Sequence, residues 1–161
     1  MEVEMIVEIP QGSRNKYEMD HVTGDIWLDR TLFTATQYPL DYGFFPGTHG
    51  EDGDPLDALV MLDEPTFPGC VVSCRVIGML NMTDEAGGDD KLLCVAAGDV
   101  RKSYLQDLSD VPAYELSEIK HFFEVYKTLE PGKSVQGGEW VGHDAAEEEI
   151  HASYKRYNET H

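Results

Sequence analysis

Residues 51–62 read EDGDPLDALVML: an acidic turn carrying Gly53 and Pro55 runs without a break into an apolar segment, ALVML at 58–62. A short apolar run bounded by turn residues predicts a buried strand. Four carboxylates, Glu51, Asp52, Asp54 and Asp57, crowd its mouth. Two carboxylates about 4 Å apart repel by roughly 4 kcal/mol at an effective dielectric near 20. Such a turn either fans out into water or gathers round something cationic.

Outward from this stretch, strands dominate the first two thirds of the chain. Val3, Met5, Val7 and Ile9 alternate with Glu2, Glu4 and Glu8, which predicts a strand with Glu8 on its polar side. KYEM (16–19) and DIWLDRTLF (25–33) flank a turn at 21–24 and predict a hairpin, with Lys16 and Glu18 on one face and Ile26, Leu28 and Arg30 sharing another. VVSCRVIGML (71–80) and KLLCVAAG (91–98) predict two more strands. Helical spacing comes late. Leu116, Ile119, Phe122, Phe123, Tyr126 and Leu129 predict one helix, stopped by Pro131-Gly132. Asp144 to Glu147 predicts a capping box that opens a second, with Ala146, Ile150, Tyr154 and Tyr157 on its apolar face. The expectation is an α+β, mainly β chain: a small barrel or sheet with two helices packed outside, in one domain over 1–161.

Composition narrows the partners. With 31 Asp+Glu against 12 Lys+Arg the formal net charge is −19, which disfavours nucleic acid and anionic membranes. No apolar run reaches the 18 or so residues of a membrane helix, and the acidic, alternating amino end does not read as a signal peptide. Cys70, Cys74 and Cys94 lack metal-ligand spacing and read as free thiols in a reducing, cytoplasmic setting.

A second acidic knot, TDEAGGDDK (83–91), places Asp84 and Asp89 on either side of a Gly-Gly turn between strands. Each knot alone is an ordinary solvated turn. Two at neighbouring strand ends, with Glu8 on a strand face, suggest hard-oxygen ligands for Mg²⁺ or Mn²⁺. An EF-hand does not fit, because loop positions 6 and 12 counted from Asp52 hold Asp57 and Asp63, where Gly and Glu are needed. Lys16, Arg30, Lys91 and Lys127 sit beside strand or helix features and are candidate phosphate binders. Tyr38, Tyr42 and Tyr126 read either as core aromatics or as polar-tipped site residues.

DGDPLDA (52–58) resembles the signature heptapeptide of the family I soluble inorganic pyrophosphatases. EIP (8–10), KYE (16–18), LDR (28–30), YPLDYGF (38–44), MTDEAGGDDK (82–91) and IKHFFEVYKTLE (119–130) resemble that family's other blocks, in the same order. The resemblance implies a five-stranded closed OB-like barrel with two helices outside. It implies hydrolysis of pyrophosphate to two orthophosphates by water activated between divalent metals. Asp52, Asp57, Asp84, Asp89 and Glu8 would ligate metal, while Lys16, Arg30, Tyr126 and Lys127 would hold phosphate oxygens. Tyr42 would stand near the attacking water or the substrate, with Glu18, Tyr38 and Lys91 in support. Asp54 matches the usual general base, and Asp89 is the competing assignment. Several Mg²⁺ per subunit are implied, with Mn²⁺ or Zn²⁺ as substitutes and Ca²⁺ inhibitory. The substrate would arrive as its magnesium complex, at a cytoplasmic homohexamer of the bacterial type. Thr128 departs from the pattern, standing where relatives often place Asp.

Overall fold

The computed structural model describes residues 1–161. Nine strands precede or separate two helices: β1 Glu2–Ile9, β2 Asn15–Met19, β3 Ile26–Thr31, β4 Asp41–Phe44, β5 Asp57–Met61, β6 Val71–Asp84, β7 Gly87–Gly88, β8 Lys91–Ala96 and β9 Val135–Val141, with α1 Ala113–Val125 and α2 His143–Thr160. β1 pairs β4, β4 pairs β5, β5 pairs β8 in parallel, β8 pairs β6, and β6 returns to β1. This closes a five-stranded OB-like ring. The long β6 also carries β7 and β9 along its distal half. β2 and β3 form a separate two-stranded sheet.

Burial on both faces explains the unbroken apolar runs of β5 and β8. Ala58, Val60, Leu92 and Cys94 join a cluster that takes in Ala146 and Ile150 of α2. Their neighbours Leu59, Leu93 and Val95 join a second, with Ile119, Phe122 and Phe123 of α1. A strand buried on one face would alternate; these do not. β1 does alternate, but only as far as Val7. A bulge between Val7 and Ile9 sends Ile9 to the cluster under α1, while Val3, Met5 and Val7 face α2. Glu8 sits in the bulge, at 8% exposure. Opposite it, Gly43 lets the backbones close: a Cβ there would lie 1.9 Å from the Ile6 carbonyl oxygen.

Two expected helix ends differ from those found. α1 stops at Val125, and Leu129 is 65% exposed beyond it. Turn hydrogen bonds from Thr128 N–H to Val125 O and from Glu130 N–H to Lys127 O take over, and they direct Tyr126 and Lys127 sideways. α2 opens at His143, after Gly142, with no cap from its own first residues; Asp144 points into water. The cap comes from elsewhere, since the Asp107 carboxylate accepts from His143 N–H at 3.1 Å. β4 and β9 have no counterpart in the sequence-based expectation. β4 is four residues long, and β9, VQGGEWV, carries two glycines and shows no clean period.

Candidate active site

Strand ends and turns converge on one cleft of about 460 Å³. From the ring come Glu8 in its bulge, Tyr42 on β4, Asp57 at the start of β5, Asp84 at the end of β6 and Asp89 just before β8. The turn before β5 adds Asp52 and Asp54. There the Asp52 carboxylate accepts from Asp54 N–H at 3.0 Å, with Gly53 between them at φ +86°. The opposite wall consists of Lys16, Glu18 and Arg30 on the β2–β3 hairpin, with Tyr126 and Lys127 in the turn after α1. Twelve residues singled out from the sequence thus line a single space.

Two others, Tyr38 and Lys91, stand behind the cleft lining. Tyr38 is 1% exposed, with its ring 5.5 Å from Tyr42 and 6.3 Å from Tyr126. Lys91 is 2% exposed. Its Nζ donates to Tyr42 Oη and to Asp89 at 3.0 Å each and lies 3.4 Å from Asp57. It also rests 4.7 Å above the Phe123 ring. Burial works against an ammonium, but Asp89 and Asp57 more than offset it and hold the Lys91 pKa above its usual value. Burial drives the Asp57 carboxyl well up, against the opposing pull of Lys91. Burial presses Asp89 the same way, but Lys91 and a hydrogen bond from Asp57 outweigh it and bring Asp89 down. One buried cation therefore serves two carboxylates. Burial lifts Glu8 to about 7, despite the Met19 N–H it accepts at 2.8 Å. Tyr42 is also raised by burial and keeps its phenolic proton.

The cationic wall has acidic company that the sequence reading passed over. Lys16 Nζ lies 3.1 Å from Asp29, which also pairs with Arg30 Nη1. Lys127 Nζ is 3.0 Å from Glu85 and 3.5 Å from Asp84, and Lys133 is 3.5 Å from Glu85. Buried Glu130 stands 2.9 Å from Arg30 Nε. A signal for Asp29 existed: Lys16 lies directly opposite Arg30 across the hairpin, and like charges in that register need an acid between them. Nothing comparable marks Glu85, Glu130 or Lys133.

The donor set on the acidic wall is all carboxylate oxygen, which suits a hard cation, although no three His, Cys, Asp or Glu side chains converge closely enough to hold a metal as they stand. Hard oxygens thus face ammonium and guanidinium groups across one cleft. The family model described as inorganic pyrophosphatase matches residues 5–158. The inorganic pyrophosphatase of Streptomyces coelicolor is 65% identical over 159 residues, 99% of this chain and 98% of that one. The crystal structure of inorganic pyrophosphatase from Thermus thermophilus matches with a TM-score of 0.95 at 51% identity, over 98% of this chain and 91% of that one. A truncated Trypanosoma cruzi vacuolar soluble pyrophosphatase, crystallised in complex with PPi, matches at 0.84 and 26% identity, over 99% and 70% of the two chains. The chain belongs to the inorganic pyrophosphatase family, in its bacterial family I type. It is an enzyme of the inorganic diphosphatase class.

Proposed function

We propose that this chain hydrolyses inorganic pyrophosphate to two orthophosphates in a reaction that depends on Mg²⁺, with Mn²⁺ or Zn²⁺ as substitutes. The observation that carries the proposal is the opposition of a carboxylate wall and a cationic wall across one cleft of about 460 Å³. Asp52, Asp57, Asp84, Asp89 and Glu8 are the residues that would hold the cations. Burial raises the carboxyls of Asp57 and Glu8, and a bound cation is the partner that would favour their charged form. When bound, divalent cations supply neutralising charge and make the attacking water more acidic.

The chain's own groups do the rest. Lys16, Arg30, Tyr126 and Lys127 grip phosphate oxygens and stabilise the charge that develops on the leaving phosphate. Asp54 takes the proton. It lines the cleft and makes no ion pair, whereas Asp89 is tied to Lys91. From a free Asp near pKa 3.9, deprotonating bulk water near 15.7 is uphill by roughly 16 kcal/mol, so the base works only on water that is already acidified. Tyr42 orients the water or a phosphate oxygen; Lys91, Tyr38 and Glu18 hold the surrounding groups in place. Ca²⁺, with longer and more numerous oxygen contacts, binds the same carboxylates and inhibits.

The proposal extends to one catalytic domain over 1–161, a cytoplasmic homohexamer, and substrate taken as its magnesium complex. The resemblance supports the hexamer, and a hexameric mass by light scattering is the expected result. No helix is long and apolar enough to cross a membrane. The deciding experiment measures phosphate release from pyrophosphate, a nucleoside triphosphate and a phosphodiester, each with and without Mg²⁺. Release from pyrophosphate alone, abolished by chelation, is the expected outcome. Undiminished activity after exhaustive chelation overturns the metal dependence, and preference for either other substrate overturns the substrate.

A further inference from the structure

Arg30 is held by two carboxylates of different kinds. Asp29 pairs with Nη1 at the cleft wall, and its side chain is 32% exposed. Glu130 lies behind, its side chain 4% exposed and its Oε1 2.9 Å from Nε. The pair is close but poorly aligned: neither Arg30 Nε nor Glu130 Oε2 has a hydrogen-bond partner. A buried, incompletely hydrogen-bonded ion pair is a weak stabiliser, and apolar residues of similar volume often serve stability as well or better. Stability alone therefore gives little reason for a carboxylate at position 130.

Its position gives a better one. Glu130 N–H donates to Lys127 O at 3.1 Å, which fixes Glu130 in the turn that presents Tyr126 and Lys127. Arg30 belongs to the β2–β3 hairpin, whose strands pair only with each other. The Glu130–Arg30 contact thus joins the two halves of the cationic wall, and a Thr34 hydroxyl donating to Tyr126 O at 3.3 Å runs between the same halves.

The geometry points to Glu130 as a positioning residue. Its charge backs the Arg30 guanidinium, 2.9 Å from Nε, and so leaves the Nη edge for a phosphate oxygen. Glu130 does not itself line the cleft and acts through Arg30. Asp29, exposed and on the cleft side, is the partner that substrate displaces; Glu130 stays. This rests on the reading that Arg30 binds pyrophosphate.

The test compares Glu130→Gln, Glu130→Asp, Arg30→Ala and the double variant Arg30→Ala/Glu130→Gln in the full chain. Steady-state pyrophosphate hydrolysis, the Mg²⁺ midpoint at saturating substrate and the thermal midpoint are all measured. Glu130→Gln is expected to lower kcat/KM about tenfold, the size of a lost charge-assisted contact, chiefly by raising KM. The Mg²⁺ midpoint should stay in place, and Glu130→Asp should recover part of the loss. The double variant should be no worse than Arg30→Ala, since Glu130 has nothing left to position. An additive loss in the double variant overturns the inference, as do wild-type kinetics in Glu130→Gln. So does a loss of activity that merely tracks the unfolded fraction. Should Glu130→Gln fail to fold, Glu130→Asp decides: its shorter carboxylate should raise KM for pyrophosphate while the Mg²⁺ midpoint stays in place, and wild-type kinetics in that variant overturn the inference. A wild type inactive on pyrophosphate counts against the substrate reading alone.

Discussion

The two walls of the cleft are built differently. On the carboxylate wall, Asp57, Asp84 and Asp89 occur where ring strands begin or end, and their backbone positions follow from the strand ladders. Its one cation, Lys91, is buried beneath them. On the cationic wall, Lys16, Arg30 and Lys127 sit on a detached hairpin and a turn, and acidic side chains hold them. The ring wall is preorganised by backbone, whereas the other is preorganised by side-chain pairing, part of which would yield to substrate on the proposed function. Changes on the ring wall should therefore be severe, and changes to exposed pairs on the other should be mild.

The largest expected effect is on turnover. Asp54→Asn keeps the shape and loses the proposed proton acceptor, and loss of a general base typically costs about 10²–10⁴-fold in kcat. If Asp54→Asn is nearly silent while Asp89→Asn abolishes turnover at saturating metal, the base is Asp89. Next comes Lys91→Met. Without its buried cation the Asp57–Asp89 pair loses its counter-charge, and breaking a buried pair costs about 3–5 kcal/mol. Urea unfolding in chelator should show a loss of that order, partly reversed by Mg²⁺; a loss below about 1 kcal/mol would mean that Lys91 is not needed as the counter-charge.

Glu8 offers a pH test. Its carboxyl is held near 7 in the folded chain against an ordinary value of 4.5, so between these values the folded state binds more protons than the unfolded. In chelator, Glu8 should contribute a fall in stability on the order of 3 kcal/mol as pH rises from about 4.5 through about 7. Glu8→Gln should remove that share of the fall, and urea midpoints across the range decide it. The smallest effect belongs to Asp29→Asn. An exposed ion pair contributes about 0.2–1 kcal/mol, so KM for pyrophosphate should change less than about fivefold, and downward, because a competitor for Arg30 has gone. A larger rise in KM would place Asp29 with Glu130 and erase the contrast between a displaceable and a fixed partner.

Local chemistry made much of this legible. Alternation in β1, the apolar runs of β5 and β8, and the spacing of Ile119, Phe122 and Phe123 each follow from a residue's own neighbours, and the structure keeps them. The acidic turns announced the carboxylates, because only a cation or open water makes that density of like charge tolerable. Block order in the sequence carried the family. What the tertiary structure alone decided depends on partners distant in sequence. The ring closes through β4, a four-residue strand that pairs with residues more than thirty positions away on β1. α2 is capped by Asp107, thirty-six residues upstream, where the sequence suggested Asp144. α1 ends early because the chain turns Tyr126 and Lys127 toward the cleft. Glu130 looks like any surface acid until the fold buries it against Arg30, a hundred positions away. A sequence pattern reports each residue's own preference for water or core; a charge buried against a distant partner violates that preference, and only the folded chain supplies the partner that makes it stable.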